Sequence, residues 1–296
     1  MPHSRPKPSE IAAEAKKHYI PWLNAHFDQY PARSFFISDG ATFAVSPSKR
    51  NHWNLSIAVV DGDPVDAALV LYQHNAAQEA LKGKQASLIP VINTANERRP
   101  GGDWESGIMA PEECLARRSN LVKALVTAWS GHGAESKHYP IPPRGGLYSP
   151  SIMVFRNGPD QYTPWSHPQM LPVISVAPVR RPRLDETGTQ YSFEQEKDLM
   201  LEKMRTVLRI AAHYGHKDIC LGTFGAGATF RNPVEELARM WKQLLFNDEE
   251  FDGVFDNIVF AIDNEDAVKE RKGGLSDLAV FEKELAPERT HPTSYR

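Results

Sequence analysis

Short apolar runs of strand length alternate along the chain with segments in which apolar residues recur at helical spacing. The spacing predicts helices over residues 64–81, 111–129, 194–214 and 233–246. The strand-length runs lie at 56–60, 86–92, 152–155, 173–176, 219–221 and 258–262. This alternation from residue 55 onward predicts an α/β fold with a mixed, largely parallel sheet flanked by helices on both faces.

The first fifty residues follow a different pattern. Apolar residues at helical spacing predict a helix over 8–27, and the stretch 28–54 is irregular, although its three phenylalanines favour burial. We therefore expect residues 1–50 to form an N-terminal helical extension packed on the core, and 51–296 to form the α/β domain. The charged stretch after Asp266 predicts a helix followed by a loose tail.

Composition and charge narrow the possible partners. With 41% hydrophobic and 24% charged residues, the 296-residue chain has the composition of a globular protein, and its net charge of -3 lacks the basic surplus of an electrostatic nucleic-acid binder. No apolar run approaches the length of a membrane span. We expect a monomer that binds neither membranes nor nucleic acid directly, and that holds any anionic ligand by local contacts.

Cysteine and histidine usage limits the redox and metal chemistry. Cys114 and Cys220 are too few for a disulfide framework, and the N-terminus lacks the apolar core of a signal peptide. Both observations predict an intracellular protein of the cytoplasm or nucleus. The eleven histidines show no metal-ligand spacing, so neither a metal nor a cofactor is expected.

Two loops that follow predicted strands carry the candidate chemistry. The first contains Asn96, Gly101 and Gly102 and leads into Glu112-Glu113, and the second is the glycine-rich stretch 222–230. In an open α/β sheet the ligand crevice lies beyond the carboxyl ends of the strands, where both loops are expected.

Each loop has an ordinary structural interpretation beside a functional one. The glycines at 222, 225 and 227 let backbone N–H groups approach a phosphate, but they also suit a plain tight turn, and the loop lacks the lysine of a P-loop. Glu112 and Glu113, behind Pro111, are typical first-turn residues of a helix. A functional role for Glu112 and Glu113 is favoured by Gly101 and Gly102, which precede them on the same loop.

Taken together, these residues resemble a known family. The stretches 93–96, 100–103, 111–113 and 117–121 look like the signature of microbial-type poly(ADP-ribose) glycohydrolases, which are macrodomain enzymes with three glycines, a spacer and Gln-Glu-Glu. The resemblance continues, in the family's order, through 147–156, 175–178, 222–227 and 255–262. It spans the chain from about Ser9 to Asp263, and it implies a macrodomain-like fold over residues 51–296.

The resemblance implies a role for each matching residue. Glu113 would be the catalytic acid/base, Glu112 would orient the scissile ribose, and Asn96 would hydrogen-bond it. The backbone at Gly101 and Gly102 would pass close to that ribose. The second loop would cradle the diphosphate with Gly222, Thr223, Phe224, Gly225, Ala226 and Gly227. Cleavage through an oxocarbenium-like state needs an acid for the leaving oxygen and a base for water, and one glutamate can do both in turn.

Departures from the family pattern leave the substrate open. Asp103 replaces the third glycine, Pro111 replaces the glutamine, and Ala226 stands where the family commonly has cysteine. Thr229 occupies the place of an aromatic residue that packs on ribose, a role that Phe230 could take over. The carboxylate of Asp103 would either repel a polymer phosphate or point at a ribose hydroxyl or at water.

The expected function is hydrolysis of the ribose glycosidic bond of poly(ADP-ribose) or of ADP-ribosylated protein. The substrate partner is then an ADP-ribose-containing molecule, in particular an ADP-ribosylated protein. The alternatives are a mono-ADP-ribosyl hydrolase, a module that binds ADP-ribose without turnover, and a nucleotide-binding scaffold whose carboxylates only cap a helix.

Overall fold

The computed structural model describes residues 6–46, 55–128, 138–263 and 274–286. Within them, seven strands form one sheet in the order β1-β4-β5-β3-β6-β7-β2. The strands are β1 Phe35–Ile37, β2 Ser56–Asp61, β3 Val91–Thr94, β4 Gly146–Arg156, β5 Pro164–Val176, β6 Asp218–Leu221 and β7 Asn257–Ile262. The run β5-β3-β6-β7-β2 is parallel, whereas β1 and β4 pair antiparallel. The expected mixed, largely parallel sheet is confirmed.

Nine α-helices accompany these strands in the described residues, with π-helical turns at Ala15–Tyr19 and Gln243–Asn247 and a 3-10 turn at Gly40–Phe43. The helices are α1 Pro8–Glu14, α2 Ile20–His26, α3 Pro64–Leu81, α4 Pro111–Arg118, α5 Leu121–Val126, α6 Glu194–His213, α7 Gly227–Phe230, α8 Val234–Lys242 and α9 Asp277–Leu285. The last of these confirms the helix expected after Asp266, whereas the expected tail, from residue 287, lies outside the described residues.

The sheet separates two apolar cores because successive side chains of a strand point to opposite faces. Ile92 and Ile174 pack with α6 and α8 on one face, and Val91 and Val173 pack with α3 and α5 on the other. Burial on both faces explains why the central strands read as continuous apolar runs rather than alternating ones.

The helix predicted over 111–129 is wrong in one respect, because it breaks at Ser119 and Asn120. Ser119 is extended, with φ -147° and ψ 174°, and bridges to Val154 of β4. The Asn120 N–H donates to the Met153 carbonyl, and the Asn120 Oδ1 accepts from the Met153 N–H. Ser119 and Asn120 therefore interact with β4 instead of continuing the helix, and a separate helix, α5, begins at Leu121. Residues 129–137 lie outside the described ranges.

The strand predicted over 86–92 also begins later than expected, at Val91. Pro90 has no N–H to donate to a neighbouring strand, and only its carbonyl joins the sheet, accepting from the Cys220 N–H at 3.0 Å.

The N-terminal helices are attached through Arg156, at the end of β4. Its guanidinium is 1% exposed, donates to the Ile11 and Arg117 carbonyls at 3.1 and 3.2 Å and pairs with Glu14. The same group lies 4.6 Å from the ring centroid of Tyr19. Residues 47–54 lie outside the described ranges, and the division of the chain at residue 50 stays a prediction.

Candidate active site

The two loops singled out in the sequence leave the same edge of the sheet. β3 and β6 are parallel neighbours, with Val91 opposite Cys220, so the loop after Thr94 and the loop after Leu221 both emerge beyond carboxyl ends of strands. Helix α4, which carries Glu112 and Glu113, begins at this edge. The sheet therefore brings the acidic pair and the glycine-rich loop to one side of the molecule.

Both carboxylates are buried and hold the first loop by its backbone. Glu112, 3% exposed, accepts hydrogen bonds from the N–H of Asn96 at 2.6 Å and of Gly101 at 3.2 Å. Glu113, 6% exposed, accepts from the N–H of Asp103 at 3.0 Å. Apart from any catalytic role, the pair therefore defines the shape of the loop that passes over it.

Glycine is required where the loop crosses these carboxylates. Gly101 and Gly102 have φ of +75° and +58°, a conformation that side chains rarely adopt. A Cβ on Gly102 would lie 2.2 Å from the Glu113 Oε1 and 3.4 Å from the Glu112 Oε2. Only a residue without a side chain at position 102 therefore leaves room for the two carboxyl groups.

Burial sets the protonation state of Glu112. Loss of solvent, with a smaller contribution from the charge of Glu113, raises its pKa to about 8 against the opposing hydrogen bonds from the Asn96 N–H and the Asn93 side chain. At neutral pH the Glu112 carboxyl is therefore largely protonated.

Two further polar groups beside Glu112 were missed at the sequence level. The Asn93 amide donates to Glu112 at 3.3 Å and to Ser175 at 3.1 Å, while its Oδ1 is buried without a hydrogen-bond partner among the described residues. The hydroxyl of Tyr139 is also buried without such a partner, and burial and the charge of Glu112 raise its pKa. Asn93 could have been noticed as a polar interruption of an apolar strand, whereas nothing in the sequence around Tyr139 points to the site.

Asp103 turns toward its own loop. Its carboxylate pairs with the Arg99 guanidinium four residues earlier, and both side chains are partly exposed. Asn96 braces the same turn, because its Oδ1 accepts from the N–H groups of Arg98 and Arg99 at 2.9 and 3.1 Å. The structure therefore places a neutralising cation beside Asp103, an arrangement that neither sequence-level alternative foresaw.

The far side of the loop is fixed by Arg117. This fully buried side chain donates to the Trp104, Ser106 and Ile108 carbonyls at 2.8, 3.0 and 2.5 Å. Trp104 is 6% exposed and packs into the core cluster that includes Ala12 and Phe155. The segment from Gly101 to Ile108 is thus held at both ends.

The glycine-rich loop is held mainly by Asn232. Its Nδ2 donates to the Gly225 carbonyl at 2.9 Å and to the Val179 carbonyl at 2.8 Å. Phe224, Gly225 and Gly227 have φ of +53°, +108° and +77°. These left-handed residues give the loop the turns that a cradle of N–H groups needs.

The residues of this loop differ in how they face solvent. The ring of Phe224 is 1% exposed and packs edge-on to Trp241 at 6.0 Å, so it supports the loop from the core side. Phe230 is 7% exposed and offers little surface to a ribose. The exposed or half-buried positions of the loop are Gly222, Thr223, Ala226, Gly227, Ala228 and Thr229.

The described residues contain neither a candidate membrane span nor a candidate metal site. None of the helices there is both long and apolar enough to span a membrane. No group of three or more histidine, cysteine, aspartate or glutamate side chains in those ranges could hold a metal ion.

Comparison with known proteins agrees with this architecture. Residues 11–157 match the model of the microbial-type PARG catalytic domain, whereas no curated protein matches the chain. A poly(ADP-ribose) glycohydrolase from Thermomonospora curvata bound to the inhibitor ADP-HPD is 23% identical, with a TM-score of 0.69 over 93% of this chain and 98% of the other. The ADP-ribose complex of the Deinococcus radiodurans enzyme is 22% identical, with a TM-score of 0.64 over 88% and 97%. The resemblance seen in the signature residues is confirmed, and over residues 11–157 the chain matches the catalytic domain of microbial-type poly(ADP-ribose) glycohydrolases.

Proposed function

We propose that this protein is an ADP-ribosyl glycohydrolase that hydrolyses the ribose glycosidic bond of poly(ADP-ribose) or of ADP-ribosylated protein. The observation that carries the proposal is the pair of buried carboxyl groups beneath the bare backbone of Gly101 and Gly102. The glycine-rich loop at the same edge of the sheet supplies a cradle for the diphosphate. The solved neighbours, which hold ADP-ribose or ADP-HPD, support the same ligand class here.

In the proposed mechanism Glu113 donates a proton to the leaving oxygen as the bond to the anomeric carbon breaks. The resulting carboxylate then takes a proton from the water that attacks this carbon, which restores the acid. Glu112, whose pKa is about 8, keeps its proton and donates a hydrogen bond to the ribose. Because the neighbouring carboxyl is neutral, Glu113 can become an anion without facing a second one.

The pairing of Asp103 with Arg99 bears on the choice of substrate. An unpaired carboxylate beside a phosphate at about 4 Å would cost roughly 4 kcal/mol at an effective dielectric of 20. Arg99 offsets that repulsion, which favours retention of polymer cleavage. We propose ADP-ribosylated proteins as substrate partners and an intracellular, monomeric enzyme.

The test compares wild type with Glu113→Gln on poly- and mono-ADP-ribosylated protein, with released ADP-ribose as the readout. We expect release by the wild type and a loss of about 100-fold or more in the variant, the usual size of a general acid/base contribution. Glu105→Gln is the matched control, because Glu105 lies on the same loop but is exposed and pairs with Lys16.

Two outcomes would overturn parts of the proposal. Tight binding of ADP-ribose without any release by the wild type would make the protein a binding module. Release that is unaffected by Glu113→Gln would remove Glu113 from the mechanism. A third variant, Asp103→Gly, tests the ion pair: loss of activity would place the Asp103 carboxylate in the reaction.

A further inference from the structure

Asn93 is a polar residue within an otherwise apolar strand. It lies on β3 opposite Ser175 of β5, on the face of the sheet that also carries Val91 and Val173. Asn93 is 2% exposed and Ser175 is fully buried. A buried amide and hydroxyl cost free energy that an apolar pair at the same register would not. The two polar side chains therefore need an explanation other than packing.

The Asn93 amide connects Ser175 to the acidic pair. Its Nδ2 donates to the Ser175 Oγ at 3.1 Å and to the Glu112 Oε1 at 3.3 Å. Its Oδ1 is buried and has no hydrogen-bond partner within the part of the chain that the structure describes. One end of the amide is therefore used twice, whereas the other end is not used by these residues.

Glu112 is the acceptor in each hydrogen bond that the structure gives it. Oε2 accepts from the Asn96 N–H at 2.6 Å, and Oε1 accepts from the Gly101 N–H at 3.2 Å as well as from Asn93. These bonds suit a carboxylate. A carboxylic acid carries an O–H, which needs an acceptor instead.

The surroundings of Glu112 nevertheless favour the acid. The Glu113 carboxyl group lies beside it, since a Cβ on Gly102 would be 2.2 Å from the Glu113 Oε1 and 3.4 Å from the Glu112 Oε2. Two buried carboxyl groups so close together ionise together only at a high cost. Burial accordingly raises the pKa of Glu112 to about 8. The other titratable group that faces Glu112 is the Tyr139 hydroxyl, which stays neutral because burial raises its pKa.

Among the groups that hydrogen-bond Glu112, only the Asn93 amide can change from donor to acceptor. The backbone N–H groups of Asn96 and Gly101 cannot accept. A half-turn of the amide about its Cβ–Cγ bond brings Oδ1 to the position of Nδ2. Ser175 stays bonded in both orientations, because a hydroxyl accepts from an N–H and donates to a carbonyl oxygen. The turn leaves one end of the amide unused by these partners, as before.

We propose that Asn93 is a positioning residue whose amide turns with the proton of Glu112. The amide donates to Glu112 when it is a carboxylate and, turned, accepts the O–H of Glu112 when it is an acid. Ser175 anchors the amide in both orientations.

The consequence for catalysis rests on the proposed function. In the free protein the Glu112 O–H is held by the Asn93 Oδ1. A bound ribose takes over as acceptor of this O–H, and the amide turns back to donate to the Glu112 Oε1. The proton stays on Glu112 throughout, so only hydrogen bonds are exchanged. Asn93 thus keeps Glu112 ready to donate to the substrate without leaving its O–H unpaired beforehand.

Side-chain NMR of the whole, substrate-free protein, isotope-labelled at asparagine, tests the turn. The Asn93 amide signals are assigned by their absence in Asn93→Asp. We expect nuclear Overhauser effects between the Asn93 amide protons and the Ser175 Hβ protons at about pH 9.5. They should weaken at about pH 6.5, with a midpoint at about pH 8. In Glu112→Gln they should be weak at every pH, because the glutamine amide donates to Oδ1 as the acid does.

Asn232 is the matched control in the same sample. It is 3% exposed, its Nδ2 donates to the Val179 and Gly225 carbonyls at 2.8 and 2.9 Å, and its Oδ1 accepts from the Tyr191 hydroxyl at 2.8 Å. Because a carbonyl cannot donate, this amide cannot turn, and its Overhauser effects should not depend on pH.

Three outcomes of the NMR experiment would overturn the proposal. The first is an Asn93 amide whose Overhauser effects do not change with pH. The second is an equal change at Asn232, which would report a general effect of pH on the protein. The third is a change that persists in Glu112→Gln, which would mean that another group drives it.

Kinetics connect the turn to the reaction. Asn93→Leu removes both the donor and the acceptor, and kcat should fall by about 10-fold, the value of roughly one hydrogen bond. The milder Ser175→Ala, which removes the anchor, should lower kcat in the same direction. Ser149→Ala is the control, because it removes a buried hydrogen bond of 2.7 Å to Ser34. It should leave kcat unchanged.

The kinetic and spectroscopic results can fail separately. Unchanged kcat in both Asn93→Leu and Ser175→Ala would remove Asn93 from the reaction and overturn its role as a positioning residue. A pH-dependent turn in a wild-type protein that releases no ADP-ribose would instead refute only the proposed hydrolysis, because the NMR experiment contains no substrate.

Discussion

Gly102 stands where any side chain would collide with the carboxyl group of Glu113. In Gly102→Ala the new Cβ would lie 2.2 Å from the Glu113 Oε1, at a φ of +58° that alanine tolerates poorly. We expect a loss of about 1–3 kcal/mol in the free energy of unfolding from the backbone strain. Because the carboxyl must move, kcat/KM should fall by about 100-fold. Activity assays and thermal unfolding measure the two effects.

The matched substitution is Gly107→Ala on the same loop, where a Cβ would meet nothing within 4 Å and φ is not left-handed. It should change stability by less than about 0.5 kcal/mol and leave activity intact. Equal effects of the two substitutions would show that the loop tolerates side chains over the carboxyl pair.

Glu112 should make stability depend on pH. The folded protein keeps the proton of this buried carboxyl up to pH 8, whereas the unfolded chain releases it near 4.5. Between these values the folded state binds more protons, so stability falls as pH rises from 4.5 to 8 and levels off above. In Glu112→Gln the slope of the unfolding free energy against pH should flatten over this range.

Chemical denaturation at pH 5, 6.5 and 8 measures that slope for both proteins. Only the slope is compared, because a glutamine amide facing the N–H groups of Asn96 and Gly101 lowers stability at every pH. Identical slopes would mean that Glu112 is already ionised at neutral pH in the folded protein.

At the residue scale, the sequence predicted the members of the candidate site more fully than the contacts that they make. The acidic pair, the glycines and the second loop stand together in the sequence motifs, so they could be predicted. The partner of Asp103 and the buried Tyr139 hydroxyl could not, because they depend on side-chain directions and on a segment remote in sequence. Burial of Glu112 depends on how α4 packs under the loop, which periodicity does not give.

At the element scale, Arg156 joins the N-terminal helices to the end of β4. Arg156→Leu would leave the Ile11 and Arg117 carbonyls without this donor and Glu14 without its partner. We expect a loss of about 2–4 kcal/mol in the free energy of unfolding. The buried Arg117 carbonyl loses this donor at a cost of roughly 1–3 kcal/mol, and the contact of the guanidinium with the Tyr19 ring is lost as well. Hydrogen exchange should rise first in residues 8–26.

Glu14→Gln serves as the comparison for this substitution. The Glu14 side chain is 52% exposed, so loss of its charge should cost less than about 1 kcal/mol. If Arg156→Leu is no more harmful than Glu14→Gln, the helices are held by apolar contacts rather than by the guanidinium.

An element could be predicted from the sequence when its own residues stabilise it, and not when distant residues do. Buried parallel strands and long amphipathic helices such as α6 leave a periodic signal over many residues. The break at Ser119 and Asn120 leaves none, because it is caused by hydrogen bonds to β4, thirty-three residues away. The three-residue β1 is likewise defined by its partner β4 rather than by its own composition.

At the scale of the whole molecule, a ligand that binds only the folded state must stabilise it. With ADP-ribose at 100 times its Kd, the gain is about 2.7 kcal/mol, which raises the midpoint of thermal unfolding by several degrees. Inorganic phosphate at the same concentration lacks the ribose contacts and should leave the midpoint unchanged. Thermal unfolding at graded concentrations tests this, and no shift with millimolar ADP-ribose would contradict a site for that ligand.

The strand alternation predicted the class of the molecule but not the order of its sheet. The parallel run β5-β3-β6-β7-β2 places neighbours in space that are far apart in sequence, such as β2 and β7. No local pattern encodes these pairings. The general rule for open α/β sheets predicted that both loops lie beyond carboxyl ends of strands, but not which strands are neighbours.

The chain has two cysteines. Cys114 lies in α4, the helix that carries the acidic pair, and Cys220 lies in β6, the strand that precedes the glycine-rich loop. Both are buried, and burial raises the pKa of Cys114 to about 11 and that of Cys220 as well. A protonated, enclosed thiol reacts poorly with maleimides and iodoacetamide. A single cysteine introduced at exposed Gly107 would therefore accept a fluorophore selectively without removal of the natural thiols, and the dye would sit on the loop that covers the acidic pair.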